Sequence, residues 1–314
     1  MHCPRTRSVG ATFVGRVAGA RRAVVAQALT WSGEDVTIAD VERQLAELRY
    51  DDGSAPELRT SVLTHIAWVP PEWREAAEAV LDELRERHPS RTIALFPDPA
   101  CERDQIDAEV AVETFDLPGL ERRVATEVVR LRLCDGRTDR PASIVLPLLI
   151  SALPVFLRWR GRPDFYAGPF EQLADVADRL VVDTTEWDGL PGALGELTQF
   201  FDLVVVSDIA WARTARWRQA IAGLWPDVAD AGELRVEGPE AEALLLAGWL
   251  RSRLDRGVSL VHEAAETLGA VSVDGHDVKP VAEEPKSAGD LLSDQLEIFG
   301  RDRIYERAVA AAAH

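Results

Sequence analysis

The sequence predicts an α/β fold of mostly parallel sheets with helices on both faces, arranged as two α/β lobes. Two stretches carry that prediction. Residues 60–96 read strand–helix–strand, and over 154–224 short apolar strands alternate with amphipathic helices. Parallel strands require a crossover between them, and a helix is its usual form. The third observation is size: 314 residues, 46% of them hydrophobic, suit about two domains that bury roughly 75% of their unfolded surface. The lobes are expected at 35–134 and 139–314. Residues 1–30 carry Arg5, Arg7, Arg16, Arg21 and Arg22 with no acid before Glu34 and no continuous apolar run, and are expected to form a disordered extension rather than a signal segment.

Each element has its own justification. Ile38, Val41, Leu45 and Leu48 recur at helical spacing within 37–49, and Asp51-Asp52-Gly53 ends that helix. Thr60 to Val69 reads as a buried strand. Pro70-Pro71 opens a helix with Trp73, Ala77, Val80, Leu81 and Leu84 on one face and a Glu83–Arg87 pair on the other. His88-Pro89 stops it, and Arg91 to Phe96 returns as a strand parallel to the first. Gln105 to Thr114 alternates as a half-buried strand does. In 123–134 the apolar positions fit both periods, and the second half is read as strand. Strands at 154–159, 180–183 and 203–206 then alternate with helices lined by Phe170 and Leu173, by 190–201, and by Trp217 and Ile221. Further strands follow at 234–236, 258–260 and 271–273. An apolar helix begins at Pro239, a polar connector spans 278–288, and amphipathic helices close the chain.

Composition narrows the function classes. A net charge of −18 argues against general nucleic-acid affinity, which rests on a basic face. No run reaches the roughly 18 apolar residues of a membrane span. Cys3, Cys101 and Cys134 make no CxxC and no zinc spacing, and so sparse a set fits a reducing cytosol. No GxGxxG, P-loop or GxSxG is present. His262-Glu263-Ala-Ala-Glu266 has Glu where a zincin places its second His, so neither a metal nor any other cofactor is expected.

What stands out is one block. Leu153-Pro-Val-Phe-Leu-Arg158-Trp159-Arg160 and Ser207-Asp208-Ile-Ala-Trp211-Ala-Arg213-Thr-Ala-Arg216-Trp217-Arg218 each follow or contain a buried strand, and Asp183 ends a third. In a parallel sheet the carboxyl edge is where ligands are met. An Asp there also serves as a helix cap, and arginines there also pair with the chain's own acids. Trp beside Arg is both core material and the composition of binding hot spots. Arg158, Trp159, Arg160, Asp183, Asp208, Trp211, Arg213, Trp217 and Arg218 are therefore the candidates for partner or anion binding. None is assigned a catalytic or metal role.

These residues also carry a family resemblance. Leu153-Pro-Val-Phe-Leu-Arg-Trp159 resembles the DLPxxLWW stretch of the OpcA family, the glucose-6-phosphate dehydrogenase assembly proteins, and 207–218 resembles its sDLxWxRLxxWR stretch. Leu180-Val-Val-Asp183 is similar to its lIvDS, and His88-Pro-Ser-Arg91 to its HPxR turn. The likeness covers roughly 37–309. Ala152, Arg158 and Thr214 depart from the family's Asp, Trp and Leu, and the lost Asp weakens a catalytic reading of that edge. The resemblance implies a cytoplasmic, non-catalytic partner of glucose-6-phosphate dehydrogenase that promotes its assembly or activates it at the head of the oxidative pentose phosphate pathway. The alternative left by the residues themselves is a phosphosugar-binding or phosphosugar-converting enzyme working through an Asp/Arg crevice.

Overall fold

The computed structural model describes residues 7–9, 27–51, 61–85, 90–116, 123–282 and 286–313. The chain divides into two compact units. One comprises Met1–Arg158 with Tyr166–Asp178, the other Trp159–Phe165 with Arg179–His314. Both are α/β.

In the first unit the strands β1 (Arg7–Val9), β2 (Gln27–Gly33), β3 (Thr64–Trp68), β4 (Arg91–Asp98), β5 (Ile106–Asp116), β6 (Arg123–Cys134) and β7 (Val155–Trp159, its last residue counted with the other unit) lie in the order β1-β2-β5-β6-β4-β3-β7. The expected βαβ unit is present: β3 pairs β4 in parallel, with α2 (Arg74–Arg85) between them in sequence. β4 also pairs β6 in parallel. β3 is buried along its length and β4 over Arg91–Phe96, as parallel strands covered on both faces must be. β6 is strand throughout 123–134, because its first half pairs β5 residue for residue in an antiparallel ladder. β2 extends that ladder antiparallel to β5, and β1 extends it antiparallel to β2. Arg7–Val9 and Gln27–Thr30, inside the stretch expected to be disordered, are thus strand; the rest of 1–30 lies outside the described residues, as does Arg87 of the expected helix pair. The helices α1 (Ile38–Asp51), α3 (Pro141–Val145) and α4 (Gly168–Val176) complete the unit.

Cys101 and Cys134 form a disulfide with a Cα–Cα separation of 5.2 Å. This departs from the free thiols expected of a reducing compartment. The two lie 33 residues apart, and only the pairing of β4 with β6, which sets Asp98 against Cys134, brings them together. One buried ion cluster also belongs to this unit. Arg91 Nε donates to Glu127 at 2.6 Å, Arg49 pairs the same carboxylate, and Arg91 Nη1 donates to the Leu148 carbonyl.

In the second unit β8 (Arg179–Val182) and β9 (Val205–Asp208) are parallel neighbours. They are accompanied by α5 (Gly192–Thr198), α6 (Ile209–Arg213) and α7 (Ala215–Ala222). A second sheet follows, made of β10 (Glu233–Gly238), β11 (Ser259–Ala264), β12 (Ala270–Val273) and β13 (His276–Asp277) in the order β11-β10-β12-β13. His262 and Glu266 therefore stand on and just beyond a strand, not four apart on a helix face as a zincin requires. Between β10 and β11 runs α8 (Glu240–Leu254), buried nearly all round over Ala241–Leu250. α9 (Ala288–Leu296) and α10 (Arg303–Ala312) end the chain. α10 approaches α8 so closely that a Cβ on Gly248 would lie 2.1 Å from the Ala308 carbonyl oxygen. Among the described residues no helix is long and apolar enough to cross a membrane.

Candidate functional site

The parallel register of β8 and β9 sets Val182 beside Asp208, so Asp183 and Asp208 meet at the carboxyl ends of their strands. Both are helix caps. Asp183 accepts from Thr185 N at 3.2 Å and opens a 3-10 turn; Asp208 accepts from Ala210 N at 2.9 Å and opens α6. Capping does not exhaust either side chain. Arg213, one turn into α6, grips Asp183 with two parallel bonds, Nη1 to Oδ1 at 3.0 Å and Nη2 to Oδ2 at 2.7 Å. Such bidentate, charge-assisted pairs are the strong ones. Asp208 also accepts from Thr184 N at 3.1 Å, Thr184 Oγ1 at 2.8 Å and the Tyr305 hydroxyl at 3.4 Å. Glu242, in the first turn of α8, brings a third carboxylate 3.6 Å from Arg213 Nη1.

The charge balance of this cluster is its main electrostatic property. Asp183, Asp208 and Glu242 are 5%, 1% and 2% exposed, and Arg213 is the cation they share. Burial pushes the Asp208 carboxyl up to about 7, reinforced by the Asp183 charge and resisted by the Thr184 and Ala210 hydrogen bonds. Glu242 is likewise pushed up to about 7, first by burial, with Arg213 opposing and Asp183 and Asp208 adding to it. For Arg213 burial acts downward, but the bonds and charges of Asp183 and its neighbours win and hold the guanidinium above its ordinary value. Near neutral pH the site therefore carries protons as well as an ion pair.

The WxRxxxWR spacing has a local explanation. α6 and α7 are joined at Thr214, and seven residues bring Arg218 back over Trp211, its guanidinium 3.4 Å from the ring centroid. Arg218 Nε donates to Thr214 Oγ1 at 3.0 Å and Nη2 to the Trp211 carbonyl at 3.2 Å. Burial pulls Arg218 down to about 10 against the field of Asp302. Trp211 Nε1 donates to Asp302 Oδ2 at 2.9 Å, while Asp302 Oδ1 caps α10 by accepting from Ile304 N and Tyr305 N. Tyr305 then sits 5.7 Å from Trp211 and 6.0 Å from Phe201, ring to ring. The motif thus clasps the last helix onto the strand ends.

The other candidates divide. Trp159, Trp211 and Trp217 are buried, at 6%, 6% and 4% exposure. Arg160 is buried and its Nε lies 3.2 Å from Glu186. Arg158 is buried and belongs to the first unit. Arg213 and Arg218 remain partly open to solvent. Sequence reasoning missed Glu242, Tyr305, Asp302 and Thr184 as members. Three of them reach the strand ends from α8 or the α10 cap, so no local spacing marks them. Among the described residues no group of three His, Cys, Asp or Glu is placed to hold a metal ion.

These features define an α/β protein whose strand-end polar groups bond chiefly to one another. Residues 81–199 match the family model described as glucose-6-phosphate dehydrogenase subunit N-terminal domain, and residues 204–309 match the corresponding C-terminal domain. The chain belongs to this family, OpcA. It is 28% identical over 239 residues to an OxPP cycle protein OpcA of Nostoc punctiforme, covering 69% of this chain and 51% of that one. It is 24% identical over 188 residues to the Synechocystis protein of the same name, covering 56% and 39% of the two chains. With the Synechococcus elongatus protein it shares 27% over 185 residues, 54% and 41% of the two. The chain thus aligns to about half the length, or less, of the curated relatives it matches.

Proposed function

We propose that this chain is a non-catalytic partner of glucose-6-phosphate dehydrogenase that promotes its assembly or activates it, working in the cytoplasm. The observation that carries the reading is the succession of two dehydrogenase-subunit domains across 81–309. The strand-end geometry supports it: Arg213 is engaged by Asp183, and Asp208 by Thr184 and Ala210, so the cluster is organised to hold helices in place. The mechanism is thermodynamic linkage. If the protein binds the active oligomer of the dehydrogenase more tightly than the inactive form, it shifts the population by that differential affinity and no further. Of the nine residues singled out, Arg213 and Arg218 keep their side chains partly open and are the proposed contacts, with the buried tryptophans setting their positions.

The test is to mix purified chain with the purified dehydrogenase from the same cell and follow both mass and rate. A stable complex and a saturable rise in kcat/KM are expected. A dehydrogenase whose mass and kinetics ignore a folded, equimolar partner overturns the proposal, as does turnover of a sugar phosphate by the chain alone.

A further inference from the structure

The second sheet has an open edge. β11 is its outermost strand, and among the described residues it pairs only β10, in parallel. Ser259 N donates to the Gly232 carbonyl at 2.9 Å and Ala265 N to the Gly238 carbonyl at 3.2 Å. Bonding residues alternate along a ladder, so 259, 261, 263 and 265 turn their backbone groups toward β10. Leu260, His262 and Ala264 turn theirs outward. Four of the six strand residues, Ser259, His262, Glu263 and Ala264, are exposed. An edge of this kind is usually blunted by charged side chains, proline, a bulge or a very short strand, and of these β11 carries one charge, Glu263. β11 has six residues, none a proline, in unbroken register with β10.

Charge says which strand would fit. Glu263 is the register partner of Glu237, both are exposed, and among the described residues neither has a cationic partner. Arg235, the cation on the same face of β10, lies 3.5 Å from Glu233. Like charges directly opposite one another weaken a sheet. A cationic side chain on a strand added outside Glu263 would relieve that repulsion. A second copy of this chain would instead bring another Glu263 and another net −18.

We propose that β11 accepts an extended segment of the dehydrogenase as an added strand, with Leu260, His262 and Ala264 supplying its backbone bonds and a Lys or Arg of that segment lying beside Glu263. Backbone pairing gives such a contact its strength and the side chains its selectivity. The proposal rests on the dehydrogenase being the partner.

Ala264→Pro removes an outward N–H that has no ladder partner among the described residues, and Glu263→Lys reverses the selecting charge while giving Glu237 a partner. Activation of the purified dehydrogenase is titrated with wild type and both variants at two salt concentrations, with circular dichroism as the check on folding. Each variant is expected to raise the half-activating concentration roughly tenfold, on the order of one or two lost charge-assisted or backbone bonds. Glu263→Lys should also flatten the salt dependence. If wild type does not activate, the partner assignment has failed. If wild type activates and folded variants match it, the edge is not the docking site, and Glu263→Lys alone decides should Ala264→Pro unfold. Wild type that dimerises through this edge, with Ala264→Pro releasing monomer and leaving activation intact, assigns the strand to a second copy and overturns the proposal.

Discussion

Replacing Glu242 by Gln isolates the cost of crowding three carboxylates around one arginine. Glu242 is 2% exposed, and its carboxyl is pushed from 4.5 to about 7. Between those values the folded protein holds a proton that the unfolded chain has released. Stability therefore falls as pH rises from 4.5 through 7, is undiminished below that window, and has lost the full amount above it. At about 1.4 kcal/mol per pH unit the displacement corresponds to about 3 kcal/mol. Asp208 titrates in the same range and shares the effect, so about 2 kcal/mol is expected for Glu242 alone. Glutamine keeps the shape and cannot ionise. Urea unfolding followed by tryptophan fluorescence, for both proteins at pH 5, 6, 7 and 8, should show the variant gaining on wild type by about 2 kcal/mol across the series. A difference that is flat in pH, or that widens on acidification, would refute the idea that burial dominates at this carboxyl.

Three further outcomes follow from the same packing. Glu127→Gln in the first unit should show the opposite slope. Arg91 and Arg49 outweigh burial and hold its carboxyl below the ordinary value, so the stability it contributes is present above pH 4.5 and is lost as pH falls through the folded value. The variant should cost about 3 kcal/mol at pH 7 by removing the carboxylate charge that buried Arg91 pairs, with the gap closing in acid urea titrations. Arg213→Met should destabilise by about 3 kcal/mol at pH 8, because it removes the guanidinium bound to Asp183, and by less at pH 5.5, where Asp208 and Glu242 hold protons. Gly248→Ala should lower the melting temperature despite a helix-propensity gain of about 1 kcal/mol. The added methyl would meet a backbone carbonyl that cannot move aside, at a cost of about 2 kcal/mol or more; an unchanged melting temperature would contradict so close an approach of α10.

The fold was legible where burial and period agree. The apolar runs at Thr64–Trp68 and Arg91–Phe96, with an amphipathic helix between them, leave a parallel pair as the natural arrangement, and the parallel pair is there. Residues 123–134 were not decided locally, because Val124, Val128 and Leu131 suit a helix as well as Val129, Leu131 and Leu133 suit a strand. The partners β4 and β5 settled it from either side. The disulfide was invisible for a related reason: 33 residues of sequence separation say nothing until two strands are placed side by side.

The candidate site shows a different limit. Asp183 and Asp208 were found because a residue that ends a buried strand and begins a helix has few places to go, and both cap as well as bind. Tryptophan beside arginine, however, has the same composition at a rim as inside a clasp. What separates the two is whether an acceptor waits at the right distance. Here Asp302, 91 residues from Trp211, accepts the indole proton, and Arg218 covers the ring from the other side of Thr214. Once those bonds are made, burying Trp211 is favourable by the usual apolar area; Trp159 and Trp217 are buried as well, so the tryptophans named as partner-binding candidates lie in the interior. The charged edge that stays open, at β11, carries no tryptophan and no arginine. Composition pointed away from it because an unpaired strand advertises itself through backbone groups, which every sequence has and none displays.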